Sequence, residues 1–274
     1  MNDEYPAVLD FGLERAAEVL TRGFSDYYIK VPFTAAMLVQ LARTDSVDLQ
    51  ASRVIQRAGT PVGVALIARR GWTSRLAAMA VVPEARRSGA GRAVMEQLLA
   101  EARARGDRAM VLEVIEQNMP AVRLYEATGF AKVRRLVGYA GAGEADPPAA
   151  ALVEEDPRAL ATLVIRDGLP DLPWQLSGET LAQMTPPALA YRLEGAWVML
   201  VNPGAAAVTI RALITEHGRR QQGRAHAVLR AVMARYPGKA WKVPAIWPEE
   251  LGGVFATAGL ARSELSQWQM TRAL

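Results

Sequence analysis

Two stretches of this chain, 134 positions apart, carry the same pattern, and a repeat at that spacing constrains the chain to fold twice in the same way. Residues 85–99 read ARRSGAGRAVMEQLL and residues 219–233 read RRQQGRAHAVLRAVM. Arg86 aligns with Arg220, Gly89 with Gly223 and Gly91 with Ala225, and the Ala-Val pairs coincide. Farther on, RLYEATGF (123–130) aligns with GVFATAGL (253–260), so Arg86 to Gly129 spans 43 positions and Arg220 to Gly259 spans 39. Chance can produce either match alone. Both in one order, each followed by a strand-like tail, predict two copies of one fold. The 274 residues suffice for two domains of about 130 each. GAGEADPPAA (141–150) is small, polar and proline-containing, as a boundary should be. It places the domains at 1–142 and 149–274.

Around the first copy, strands and helices alternate. AVLDF (7–11) reads as a short strand, and 14–24 and 34–42 have helical spacing. Residues 51–57 and 62–70 are β-rich and separated by AGTP, a hairpin signal. A strand over 75–82 stops at Pro83, and a helix over 90–105 closes at Gly106. A strand at 109–115, a short helix at 120–130 and a strand at 133–139 complete the copy. In the second half, 197–201, 209–215 and 240–245 read as strands and 225–236 as a helix. The class is α/β.

Composition removes several chemistries. With no cysteine, disulfides, thiolate metal sites and cysteine nucleophiles are excluded. With only His217 and His226, neither a histidine metal site nor a Ser-His-Asp triad is expected, and no metal is assigned. A net charge of +4 without any Lys/Arg block does not predict nucleic-acid binding. The acidic start MNDEYPAVLD lacks the pattern of a signal peptide, and no run of about 20 apolar residues reads as a membrane span. A cytoplasmic protein without a membrane partner is expected.

The stretch ARRSGAGRAV (85–94) puts Gly89, Ala90 and Gly91 at the mouth of a helix, bracketed by Arg86, Arg87 and Arg92. A helix start leaves N–H groups unpaired and carries partial positive charge. Glycines let a ligand approach the backbone closely. Such a loop can cradle a phosphate. It matches neither GxxxxGK[ST] nor GxGxxG.

MAVVPEARRSGAGRAV (79–94) resembles motif A of the GNAT superfamily of acyl-CoA-dependent N-acyltransferases: an apolar strand, V-x-P, then [R/Q]-x-x-G-x-[G/A] opening a helix. Val81, Pro83, Arg86, Gly89 and Gly91 supply it. LEVIEQNMPAVRLYEATGF (112–130) resembles the family's next strand–helix segment, through Leu112, Val114, Asn118, Ala121, Leu124, Tyr125, Gly129 and Phe130. The resemblance covers residues 5–140 by element order and 79–130 by motif. It implies two GNAT-like domains in tandem, each a twisted mixed β-sheet flanked by helices. It implies acetyl-CoA as acyl donor, with its pyrophosphate on the backbone N–H groups of Arg87, Ser88, Gly89, Ala90, Gly91 and Arg92. It also implies pantetheine pairing with Met79, Ala80 and Val81, where the strand splays from its neighbour, and Asn118 near the acetyl group.

Acetyl transfer needs a neutral amine, a stabilised oxyanion and a proton for the departing thiolate. Tyr125 stands at the family position of the general acid. Glu113, in an L-E-V context seen in some subfamilies, is the candidate base, with Glu116 and Glu84 behind it. Backbone N–H near Ala80 is the expected oxyanion donor. Tyr27, Tyr28 and Tyr139 are candidate acceptor-binding residues, and Asp26 could attract a cationic amine.

The second copy departs from the pattern. Phe255 replaces Tyr125, His217 replaces Pro83, Arg224 sits within the loop, and no Asn matches Asn118. A degenerate domain without turnover is expected, with Arg219, Arg220 and Arg224 either holding an anion or solvated. The expected activity is transfer of an acetyl group to a primary amine, on a small molecule or peptide, by direct attack in a ternary complex. The alternative is a non-catalytic CoA- or anion-sensing protein. The duplication predicts a monomer with an internal pseudo-dimer.

Overall fold

The computed structural model describes residues 3–30, 32–144 and 152–274, so most of the expected linker, 145–150, lies outside the described residues. The chain divides into two compact units that are not contiguous halves. Unit 1 holds Met1–Val114, Asn118–Val133 and Gln269–Leu274; unit 2 holds Ile115–Gln117 and Arg134–Trp268. The division therefore differs from the linear one. The strand expected to finish the first copy lies mostly in unit 2, and the last six residues of the chain lie in unit 1. There the Leu274 N–H donates to the Arg108 carbonyl at 3.0 Å.

Unit 1 contains β1 (Asp3–Glu4), α1 (Val8–Phe11), α2 (Leu13–Gly23), α3 (Ala35–Thr44), β2 (Val47–Arg57), β3 (Thr60–Arg70), β4 (Thr73–Val81), α4 (Ala90–Ala104), β5 (Ala109–Ile115) and α5 (Met119–Ala127). Residues 8–11, read as a strand, form a helical turn that Gly12, at φ +101°, ends. The sheet order is β1-β2-β3-β4-β5. β2, β3 and β4 form an antiparallel meander, and β4 and β5 are parallel, with α4 as their crossover. The β2–β3 turn places Ala58 and Gly59 at φ +49° and +74°, the left-handed pair that suits a tight hairpin. Val64, Leu66, Leu98, Leu99, Met110 and Leu112 are buried in the core.

Unit 2 contains β6 (Ala131–Gly141), which begins in unit 1, β7 (Val153–Glu155), α6 (Pro157–Asp167), α7 (Gly178–Leu181), β8 (Leu189–Leu193), β9 (Ala196–Val201), β10 (Ala207–Thr215), α8 (Arg224–Arg235), β11 (Ala240–Pro248), α9 (Gly253–Thr257) and β12 (Ala261–Ala273), which ends in unit 1. Its sheet order is β6-β11-β10-β9-β8-β7. β10 and β11 are parallel, joined by α8, as β4 and β5 are by α4. β12 is the strand-like tail expected after the second match, while β7, β8, α6 and α7 have no counterpart among the sequence expectations. Tyr191, Val198, Leu229, Trp241 and Phe255 fill the core. Among the described residues no helix is long and apolar enough to cross a membrane.

Candidate functional site

The cleft of unit 1 begins where two parallel strands part. β4 and β5 pair only from Thr73↔Ala109 to Leu76↔Leu112, although both strands run on. β4 meanwhile stays paired with β3 as far as Gly63↔Val81. The backbone of Met79 to Val81 thus lies beside an opening on its β5 side. A cleft of about 570 Å³ occupies that place, and Met79, Ala80 and Val81 line it. Glycines at two positions allow this packing. A Cβ on Gly23 would lie 2.6 Å from the Ala80 Cβ, and one on Gly63 would lie 2.6 Å from the Ala80 carbonyl oxygen.

At one end of the cleft the chain turns into α4. Arg87 and Gly89 take left-handed conformations, φ +58° and +85°. Gly89 has no side chain with which to cap the helix, and the first α4 bond is Ala93 N–H to the Gly89 carbonyl. The N–H groups of the preceding residues are left for another acceptor. Gly91 faces α5, where a Cβ would touch Leu124 at 3.4 Å.

The arginines of the loop do different things. Arg86 is a structural tie: its guanidinium donates to both carboxylate oxygens of Asp26, at 2.6 and 2.7 Å, to the Gly23 carbonyl at 2.9 Å and to the Val81 carbonyl at 3.0 Å. Asp26 is thereby committed, and the guanidinium holds its carboxyl below the usual carboxylate range. It is not available to a cationic substrate. Arg87 lines the cleft and makes no hydrogen bond or ion pair among the described residues. Arg92 pairs with Glu96, one helical turn on, at 2.8 Å, and Ser88 accepts from Arg57. Ser88, Gly89, Ala90 and Arg92 are not cleft-lining residues.

Asn118 lines the cleft and caps α5, its side chain accepting from the Ala121 N–H at 3.4 Å. Burial pushes the Tyr27 phenol above its ordinary value, and the nearby Asn118 side chain offsets part of that rise. Tyr27 and Tyr28 both line the cleft.

Three other expectations fall elsewhere. Tyr125 is buried, 6% exposed, stacked edge-on against Phe130, and does not line the cleft. Burial, and then its neighbour Tyr27, push its phenol well above the ordinary value. Glu113 is not a cleft residue. One residue beyond Leu112 of the last β4–β5 pairing, it forms a buried ion pair at 2.7 Å with Arg75, which lies within the paired stretch. Alternation along β5 turns Glu113 away from Leu112 and Val114, as expected, but that direction leads to an arginine and not to solvent. Paired with Arg75 and absent from the cleft lining, Glu113 does not reach an amine bound there, so the role of base is withdrawn from it. Glu84 pairs with Arg22, and Glu116 bonds Arg135 and Ser266 within unit 2. Tyr139 belongs to the core of unit 2, packed 5.4 Å from Phe255, and is no part of the unit 1 cleft. Sequence reasoning missed Arg75 and Gly23, and took Asp26 for a ligand of substrate. A lone charge in a strand and a glycine at a helix end carry no local mark of their partners.

Unit 2 reproduces this framework residue by residue. β10 and β11 pair only over Ala207↔Ala240 to Thr209↔Lys242. Gln221 and Gly223 take φ +59° and +73°, beside +58° and +85° in unit 1. Arg220 donates to the Thr215 and Asp167 carbonyls, as Arg86 does to those of Val81 and Gly23. The Leu260 N–H bonds the Phe255 carbonyl at 3.0 Å, as Phe130 bonds Tyr125 at 2.9 Å.

Residues 17–130 match the acetyltransferase (GNAT) family. No curated protein sequence matches the chain. Solved structures share the fold over its whole length. A GCN5-related N-acetyltransferase from Sphaerobacter thermophilus aligns with a TM-score of 0.70 at 15% identity, over 99% of this chain and 95% of that one. A tandem GNAT protein from the clavulanic acid biosynthesis pathway aligns at 0.66 and 15% identity, over 99% and 98%. A putative acetyltransferase from Pyrococcus horikoshii aligns at 0.64 and 14% identity, over 100% and 89%. Residues 17–130 are therefore a domain of the acetyltransferase (GNAT) family, and the chain as a whole has the fold of a tandem GNAT protein.

Proposed function

We propose that unit 1 transfers an acetyl group from acetyl-CoA to a primary amine by direct attack in a ternary complex. The observation that carries the reading is the early parting of β4 from β5 beside an α4 start with uncapped N–H groups. That pair of features offers a strand-like ligand free backbone and offers its phosphates a helix N-terminus. Met79 to Val81 and residues 87–92 are the proposed donor contacts, and Arg87 adds an uncommitted positive charge. Arg86 is a positioning residue for the loop.

The neutral amine attacks the thioester carbonyl, the C–N bond forms, and the C–S bond breaks as the oxyanion collapses. Backbone N–H near Ala80 is the proposed oxyanion donor. With Glu113 and Glu84 committed to arginines, the proton leaving the attacking nitrogen goes to water. Tyr125 is the proposed acid for the thiolate. Its raised phenol keeps the proton through neutral pH, and its electrostatic neighbour Tyr27 lines the cleft. Tyr27 and Tyr28 are proposed to contact the acceptor.

The burial of Tyr125 also favours a second reading, a CoA- or anion-sensing protein that transfers nothing. Calorimetric titration with acetyl-CoA and turnover on a panel of amines separate the two. Gly89→Glu is expected to abolish donor binding to unit 1, and Tyr125→Phe to cut turnover at least tenfold with binding intact. Tight binding, no acetylated amine and no effect of Tyr125→Phe would establish the sensor.

A further inference from the structure

One side of the unit 1 cleft is an aromatic wall. Phe24, Tyr27 and Tyr28 follow the end of α2 and line the cleft. Their rings stand edge to face, Phe24 and Tyr27 at 5.0 Å and 70°, Tyr27 and Tyr28 at 5.5 Å and 83°. Phe33 stacks on Phe24 at 5.5 Å. The segment that carries these rings is tied at two points. Arg86 grips Asp26 with two hydrogen bonds. Phe33 exchanges two with Thr21, its N–H donating at 2.9 Å and its carbonyl accepting at 3.3 Å. Tyr28 is nevertheless 54% exposed. An exposed ring beside a preformed cleft favours another aromatic group, because ring pairs set edge to face gain more than their buried area alone supplies.

Charge selects further. Among the described residues, the ionisable side chains lining the cleft are Asp26, Tyr27, Tyr28, Arg86 and Arg87. Asp26 and Arg86 cancel each other, and Arg87 leaves the lining net positive. Among these residues no uncommitted carboxylate is present to hold an ammonium ion or to take its proton. A phenol keeps its proton at neutral pH, and burial holds that of Tyr27 more firmly. An amine therefore has to arrive already neutral. At pH 7 an alkylamine as basic as a lysine side chain is neutral in about one molecule in 2,500, and an α-amino group in about one in ten.

We propose that the acceptor of unit 1 is a weakly basic amine beside an aromatic ring, an α-amino group next to an aryl side chain being the simplest example. The ring packs against Tyr27 and Tyr28, and the neutral nitrogen attacks the thioester without a protein base. The C–N bond forms as the C–S bond breaks, and the surplus proton on nitrogen passes to water. The positive lining disfavours polyamines and lysine-rich peptides. This rests on the transfer reading for unit 1 and names its acceptor.

The test compares phenylalanine amide, cyclohexylalanine amide, phenylethylamine and spermidine as acceptors in steady-state acetylation by the full-length protein. At pH 7, kcat/KM should be highest for phenylalanine amide. Cyclohexylalanine amide should fall about two- to tenfold below it, the factor equivalent to about 0.5–1.5 kcal/mol for an aromatic pair. Phenylethylamine should fall about tenfold or more below it at pH 7, then gain about tenfold per pH unit up to pH 9 as it loses its proton. Tyr28→Ala should raise KM for phenylalanine amide about fivefold or more and leave KM for acetyl-CoA unchanged, while Tyr28→Phe keeps both within about twofold. Three results overturn the proposal while transfer stands: spermidine as the best acceptor, equal rates for the phenyl and cyclohexyl amides, or a phenylethylamine profile that levels off below pH 8 and so reveals a protein base. If no amine is acetylated, calorimetry in the presence of CoA decides. Phenylalanine amide binding about two- to tenfold tighter than cyclohexylalanine amide, and weakened in Tyr28→Ala, keeps the ligand class and refutes only the transfer. Equal binding of the two amides overturns both.

Discussion

Glu113→Ala would strip one partner from an ion pair whose side chains are 3% and 6% exposed. At 2.7 Å and an effective dielectric near 20, the gross attraction between the charges is about 6 kcal/mol, most of it offset by desolvation. Removing one partner leaves Arg75 buried without its counter-charge, which typically costs about 3–5 kcal/mol. For a protein of this size the melting midpoint should fall by roughly 10 °C. Glu113 lies one residue past the last β4–β5 pairing and Arg75 one residue before it, so the ion pair clasps the strands where the cleft begins. Replacing both charges, as in Arg75→Met with Glu113→Leu, should recover most of the stability, because no lone charge remains buried. Thermal denaturation followed by circular dichroism measures all three proteins, with acetyl-transfer rates taken well below their midpoints. If Glu113→Ala melts like the parent while its rate collapses and its alkaline pH profile shifts, Glu113 is a base after all and the structural assignment is refuted.

Two further outcomes follow from the cleft. The Asp26 carboxyl is held low by its hydrogen bonds from Arg86, so the pair is intact above the ordinary carboxylate pKa of about 3.9 and is lost only as pH falls through the lower folded value. Acetyl-CoA affinity should therefore be insensitive to Asp26 between pH 7 and 5, while Asp26→Asn weakens it severalfold at every pH; an Asp26-dependent loss between pH 7 and 5 would contradict this. Gly23→Ala would place a Cβ 2.6 Å from that of Ala80, forcing α2 off β4 at a cost of about 1–3 kcal/mol, visible as a lower urea midpoint. An unchanged midpoint would show that the two elements can separate freely.

Local chemistry makes much of this protein legible in its sequence. The duplication, the α4 and α8 starts and the hairpin are readable because capping, turn torsions and helical periodicity act between residues a few positions apart. The left-handed Gly89 and Gly223 show this directly: each glycine stands where the chain must leave one conformation and enter a helix. What escapes the sequence depends on which distant groups meet. Glu113 reads as a base because nothing near it in the chain announces Arg75, 38 positions away. Asp26 reads as a substrate ligand because Arg86 reaches it across 60 positions. Tyr139 and the last six residues fall into unexpected units because strand exchange is a matter of sheet pairing, and a strand's alternation does not say which sheet will receive it. The linear pattern determined that there are two copies of one fold and that each opens a helix on a left-handed glycine. Tertiary packing alone decided which charges are already spent and which remain free for a ligand, because burial and ion pairing are set by the neighbours that folding brings together.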